Sequence, residues 1–169
     1  MQGIRFLVPS LACLVVCGAA SAAGVVTVFG DVSYGQGAIP DGLTDAVHVG
    51  ACRRTVAAVR ADGTIIAWGY DANGEVSSVP APPAGRRFEK VFGGWGLTLF
   101  GLTDDGRLLS WGRNSLGQAD VAPLPSGRRY TKAAASYFMG GGLRDDGSIV
   151  MWGAYQPTFN AAQRTQLLS

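Results

Sequence analysis

Few side chains in this sequence could do chemistry, and each has a structural competitor. His48 is the only histidine, which rules out a multi-histidine metal centre and leaves one candidate general base. It stands in Val47-His48-Val49, a strand-like setting in which an imidazole more often makes a structural hydrogen bond. Cys52 is alone once the apolar N-terminal stretch carrying Cys13 and Cys17 is removed, and a lone thiol reads as a small buried apolar side chain unless something activates it. Asp104-Asp105 and Asp145-Asp146 look like acid pairs. Adjacent residues on a strand point opposite ways, however, and both pairs sit in turn sequences that favour Asp for backbone reasons. Asp71-Ala72-Asn73-Gly74-Glu75 is too short for a calcium loop and lacks its spaced ligands. No Gly-x-Ser-x-Gly elbow, Cys-x-x-Cys pair or phosphate-binding glycine loop occurs. The reading is of a non-enzymatic chain: no catalytic residue, no cofactor and no metal.

The elements that position the remaining candidates repeat along the chain. Aromatic-Gly pairs fall at Phe29-Gly30, Trp68-Gly69, Trp111-Gly112 and Trp152-Gly153, at spacings of 39, 43 and 41. Asp-Gly pairs fall at Asp62-Gly63, Asp105-Gly106 and Asp146-Gly147, and PAGRRFEK (83–90) returns as PSGRRYTK (125–132). Periods of this length mean solenoids, arrays or propellers. Asp-Gly between short β-branched runs predicts a hairpin closed by a two-residue type I′ turn. Thr55–Arg60 and Thr64–Trp68 have the length and composition of its two strands. Ala46–Val49, Lys90–Phe92 and Lys132–Ala135 supply a third strand per unit. The apolar runs Ile65–Trp68 and Leu108–Trp111 predict strands buried on both faces. Each Trp reads as core, and its glycine lets the chain turn into the loop that follows. Only Asn160–Leu168 could form a short helix.

The string DGRLLSWGRNSLGQ at 105–118 resembles the repeat of the regulator of chromosome condensation family. The repeat length and the prolines after each loop are closer to its bacterial secreted members, β-lactamase inhibitory protein type II among them. The resemblance implies β-propeller blades, seven in a usual ring. Seven units of this length exceed the 169 residues of this chain. The expected fold is all-β, with about three to four propeller blades in an incomplete propeller. Its repeat units run 25–39, 40–80, 83–123 and 125–153, within a repeat domain spanning 23–169. Closure by assembly, a small closed ring and a shortened product all stay open, and exposed strand edges invite self-association.

Alternating strands send the Asp-Gly turns to one rim and the more variable loops to the other, and variable loops on a rigid scaffold are where binding usually resides. The variable side carries Arg53, Arg54, Tyr70, Asn73, Trp95, Arg113, Asn114, Tyr137, Phe138 and Tyr155, an aromatic and arginine composition that suits a protein partner. For Trp95, Tyr137 and Phe138, burial between blades is an equal alternative. Arg86-Arg87 and Arg128-Arg129 recur in register and read as a solvated or salt-bridged edge.

A formal net charge of +2 with no Lys/Arg run disfavours nucleic acid as a partner. Arg5, the apolar stretch Phe6–Ala20 and Ala20-Ser21-Ala22 read as a signal peptide over 1–22, followed by a secreted or periplasmic chain with no membrane attachment. A lipoprotein start at Cys17 is an alternative, with Val16 ill-suited to it. The functional expectation is a secreted binding module with a loop-rich face, one form of which is an inhibitor. The alternatives are a degenerate propeller fragment with no dedicated partner and, last, a polysaccharide-acting enzyme.

Overall fold

The computed structural model describes residues 14–18, as backbone alone, and 24–154. Eleven strands and no helix make up these residues. Strands β1 (Leu14–Gly18) and β2 (Val25–Phe29) form an antiparallel pair. Three antiparallel three-stranded blades follow. The first is β3 (Ala46–Ala51), β4 (Thr55–Arg60) and β5 (Ile65–Gly69). The second is β6 (Phe88–Phe92), β7 (Thr98–Thr103) and β8 (Leu108–Gly112). The third is β9 (Tyr130–Ala135), β10 (Met139–Arg144) and β11 (Ile149–Gly153). Each blade is ordered in sequence with its middle strand central, and the described residues form an incomplete propeller of three to four blades, the two-stranded pair counting as the partial one. The expected helix at Asn160–Leu168 lies outside the described residues.

The core lies between blades, and strand alternation builds it. Along β4, Val56 and Ala58 face back toward Val26 and Trp68, while Ala57 and Val59 face forward toward Phe88, Val91 and Trp111. Along β7, Leu99 faces back into that second cluster, and Phe100 and Leu102 face forward onto Tyr130 and Trp152. Here the structure corrects the burial expectation. The strands enclosed on both faces are the middle ones, β4 and β7, rather than the outer strands Ile65–Trp68 and Leu108–Trp111, which are only half-buried apart from Ala67 and the Trp residues. A middle strand has a neighbour on each edge and a blade on each face; an outer strand has one free edge whatever its composition.

The hairpin turns also differ from expectation. Arg60 N–H donates to the Thr64 carbonyl and Gly63 N–H to the Arg60 carbonyl, both at 2.9 Å. The loop is therefore three residues long, Ala61 to Gly63, with only its glycine required in the left-handed region (φ +83°). The other two hairpins repeat these bonds between Thr103 and Arg107 and between Arg144 and Ser148. Asp62 accepts from Thr64 N–H at 2.8 Å and Asp146 from Ser148 N–H at 3.0 Å, which explains the aspartates without any acid pair.

The repeat motif locks neighbouring blades together. Trp68 Nε1 donates to the Gln36 carbonyl (2.7 Å), Trp111 Nε1 to Glu75 (2.9 Å) and Trp152 Nε1 to Gln118 (2.9 Å). Each acceptor belongs to the loop that leaves the preceding blade. All three indoles and all three acceptor residues are buried. On the opposite rim, Phe88 N–H donates to the Gly63 carbonyl (2.9 Å) and Tyr130 N–H to Gly106 (2.8 Å). There Arg86 pairs with Asp105 (3.5 Å) and Arg128 with Asp146 (3.2 Å).

Candidate binding face

The loops opposite the Asp-Gly turns come from two places in each unit. One set joins the first strand to the second, at 52–54, 93–97 and 136–138. The other follows the Trp-Gly pair, and glycine is required there: Gly69 holds φ +112°, and a Cβ at this position would lie 2.6 Å from the Arg54 carbonyl oxygen. The two sets are stitched together. Tyr70 N–H donates to Arg54 O, Arg113 N–H to Leu97 O and Ala154 N–H to Phe138 O. The buried hydroxyls of Thr55 and Thr98 donate to Tyr70 O (2.7 Å) and Arg113 O (2.6 Å). Side chains from both sets therefore share one surface on a rigid base.

Arginines interleave with rings across that surface. The Arg54 guanidinium carbon stands 4.1 Å from the centre of the Tyr34 ring and 5.1 Å from that of Tyr70. The two rings meet edge-on, 5.7 Å apart. Arg53 lies over Trp95 at 5.7 Å and Arg113 over Tyr137 at 4.4 Å, and Tyr137 meets Phe138 edge-on at 5.0 Å. The Arg113 side chain beside it, through a hydrogen bond and its charge, holds the Tyr137 hydroxyl below the usual phenol range, and Arg53 and Arg54 add to the effect. One electrostatic cluster thus spans the connections between the first and second strands of three blades.

Trp95 is 54% and Phe138 45% exposed, and Tyr137 is half-buried. Of the two placements open from sequence, Trp95 and Phe138 lie on the surface, while Tyr137 is partly covered by Arg113 and Phe138. Asn73 and Asn114 are exposed but engaged within their own loops. Asn73 Nδ2 donates to Glu75 Oε1 (2.7 Å), and Asn114 donates to Asp120 (2.8 Å) while accepting from Ala119 N–H (2.9 Å). Tyr155 lies outside the described residues. Tyr34 was missed by the sequence reading. Its signal was available: counted from the Phe29-Gly30 pair, it occupies the loop position of Asn73 and Leu116.

The other reactive groups are built into the scaffold. His48 Nδ1 accepts from Val91 N–H (3.3 Å) of the next blade, with its ring edge-on to Phe92. Cys52 is buried, and burial pushes its thiol up from the ordinary range. Asp71 accepts from Val76 and Ser77 N–H (2.7 and 2.9 Å), so it closes its loop.

Residues 89–118 match the family described as the regulator of chromosome condensation (RCC1) repeat. No curated protein matches the sequence. Among solved structures, Prp20p from Saccharomyces cerevisiae, whose description names binding to Gsp1p and histones, superposes with a TM-score of 0.61 at 16% identity, covering 77% of this chain and 41% of that one. Yeast RCC1 (Prp20) bound to Kap60 gives 0.59 at 15%, covering 78% and 40%. The ectodomain of the Physcomitrella patens receptor kinase CR4 gives 0.59 at 22%, covering 85% and 37%. The chain spans less than half the length of each. Residues 89–118 are similar to the RCC1 repeat, and the described residues share the fold of these propellers.

Proposed function

We propose that this protein is a non-enzymatic interaction module that engages another protein through its loop face. The observation that carries the proposal is the pair of exposed aromatic side chains Trp95 and Phe138, with the half-buried Tyr137 beside them, held on a hydrogen-bonded base and flanked by arginines. Water-exposed large rings on a rigid platform are typical anchors of protein interfaces. The propellers of similar fold whose descriptions name Gsp1p, histones and Kap60 support a protein as the partner class. The N-terminal pattern supports export with cleavage near Ala22, hence a secreted or periplasmic site of action; that cleavage removes β1 and leaves β2 without its antiparallel partner. Inhibition of an extracytoplasmic enzyme is the form suggested by the resemblance to secreted bacterial members of the family.

A photo-crosslinking amino acid at Trp95 or Phe138 in the producing cell tests the proposal, with Asp146 on the opposite rim as the control. Protein adducts from the first two positions and none from the third are expected. Adducts only from Asp146, or adducts to glycan in place of protein, would sink it.

A further inference from the structure

Ion pairs are divided unequally between the two rims. All the ion pairs of the described residues lie on the Asp-Gly side, where Arg60, Arg86, Arg107 and Arg128 each face a carboxylate at 4.0 Å or less. Arg129 and Arg144 there donate instead to the backbone carbonyls of Asp104 and Pro123, and Arg87 makes no ion pair among the described residues. On the loop side, Arg53, Arg54 and Arg113 form no ion pair among the described residues, although carboxylates are nearby in sequence. Asp31 accepts from Ser33 N–H (2.9 Å), Asp71 from Val76 and Ser77 N–H, and Asp120 from the Asn114 amide. Each is turned into its own loop. Three guanidinium groups therefore stand around Tyr137 with no carboxylate in contact among the described residues, although Arg113 Nε donates to Ser115 Oγ (2.9 Å) and the Arg54 charge reaches Asp31. Arg54 Nε is buried among them without a hydrogen-bond partner.

The ring contacts decide what such a cluster can receive. A guanidinium lying on an aromatic face keeps its N–H groups in the plane, directed outward along its edges, which is the geometry of bidentate carboxylate binding. Its rotamers are already restrained by the ring, so less freedom is lost on contact. Stacked nucleobases fit less well, because they need open ring faces, and Tyr34, Tyr70, Trp95 and Tyr137 each already carry a guanidinium over a face. Exposed Trp95 and Phe138 also call for apolar contact that a small inorganic anion cannot supply.

We infer that the loop face binds an acidic segment of a protein partner, its carboxylates taken by Arg53 and Arg113 and a neighbouring apolar side chain by Trp95 and Phe138. This rests on the protein-binding reading above and specifies the partner's chemistry. The test is a selection of displayed random peptides on the folded chain, followed by titration of the selected peptides, their Asp/Glu→Asn/Gln counterparts and an oligothymidine. Selected peptides are expected to be rich in Asp and Glu. Their affinity should fall at least about tenfold in the Arg53→Gln/Arg113→Gln variant and again as salt rises from about 0.05 to about 0.5 M. Neither arginine is buried, so an unchanged melting temperature accompanies the loss. Neutral peptides that bind the variant equally well but lose affinity in Trp95→Ala would overturn the acidic specificity and leave the protein-binding reading standing. Tighter binding of oligothymidine would overturn it in favour of a nucleic acid. Failure to select any peptide would overturn both readings.

Discussion

Replacing Trp111 by Phe tests the bond on which blade order depends. The indole Nε1–H donates to the Glu75 carbonyl at 2.9 Å across the boundary between the first two complete blades, in a region closed to solvent. Phenylalanine preserves an aromatic ring and removes the donor. A buried carbonyl that loses its partner costs about 1–3 kcal/mol, and the smaller ring forfeits roughly another 1 kcal/mol of packing against Phe88, Leu99 and Val91. The expected loss is about 2–4 kcal/mol, read as a fall in melting temperature of roughly 6–12 °C for a chain of this size. Urea titration followed by far-ultraviolet circular dichroism measures it without relying on tryptophan emission. Trp95→Phe is the control: that indole is 54% exposed, and its replacement should change stability by less than about 0.5 kcal/mol. If Trp111→Phe costs no more than Trp95→Phe, the inter-blade bond contributes nothing and the account of the motif is wrong.

Three further outcomes follow from the same geometry. Glu75 is a fully buried acid held by the N–H and the amide of Asn73, at a position where the neighbouring units carry Gln36 and Gln118. Glu75→Gln should therefore raise the urea midpoint, by about 1 kcal/mol of stability, and a lower midpoint would refute this. Burial, with the Lys90 charge, holds His48 below its ordinary value. Its neutral form thus contributes stability that is complete above about pH 6.5, the unfolded value, and lost as pH falls through the folded one. Asp62, Asp71, Asp105 and Asp146 are held below 3.8 by their turn and loop bonds and do not titrate in that window. The decline in urea midpoint from about pH 7 to about pH 5 should flatten in His48→Gln, and an equal decline in both proteins would assign it elsewhere. Cys52, buried and raised by burial, should resist thiol reagents in the native protein and react on unfolding; stoichiometric labelling without denaturant would contradict its placement.

Much of the architecture was legible because it rests on local, repeated chemistry. An Asp-Gly pair marks a hairpin wherever it recurs between β-branched runs, and three copies at near-equal spacing place three hairpins. The burial of Trp68, Trp111 and Trp152 was legible for the same reason. The turn type was not, since a type I′ loop and a three-residue loop with one left-handed glycine draw on the same residues. The glutamine of the motif was visible as a pattern without a role. Its carbonyl meets the next blade's tryptophan 32 to 36 residues on in the chain, a pairing that exists only once blades stack.

The amino-acid sequence by itself determined the strands, the turns and the unit that repeats, because each depends on dihedral preference and apolar spacing over a few residues. It also determined that arginine and aromatic side chains would gather on one rim, since strand alternation assigns every loop to a side. Only the tertiary structure decided which strands are enclosed, that Trp95 and Phe138 remain in water, and that Arg54 lies between Tyr34 and Tyr70. Those outcomes depend on the distance and twist between neighbouring blades, and no single repeat encodes a distance to the next.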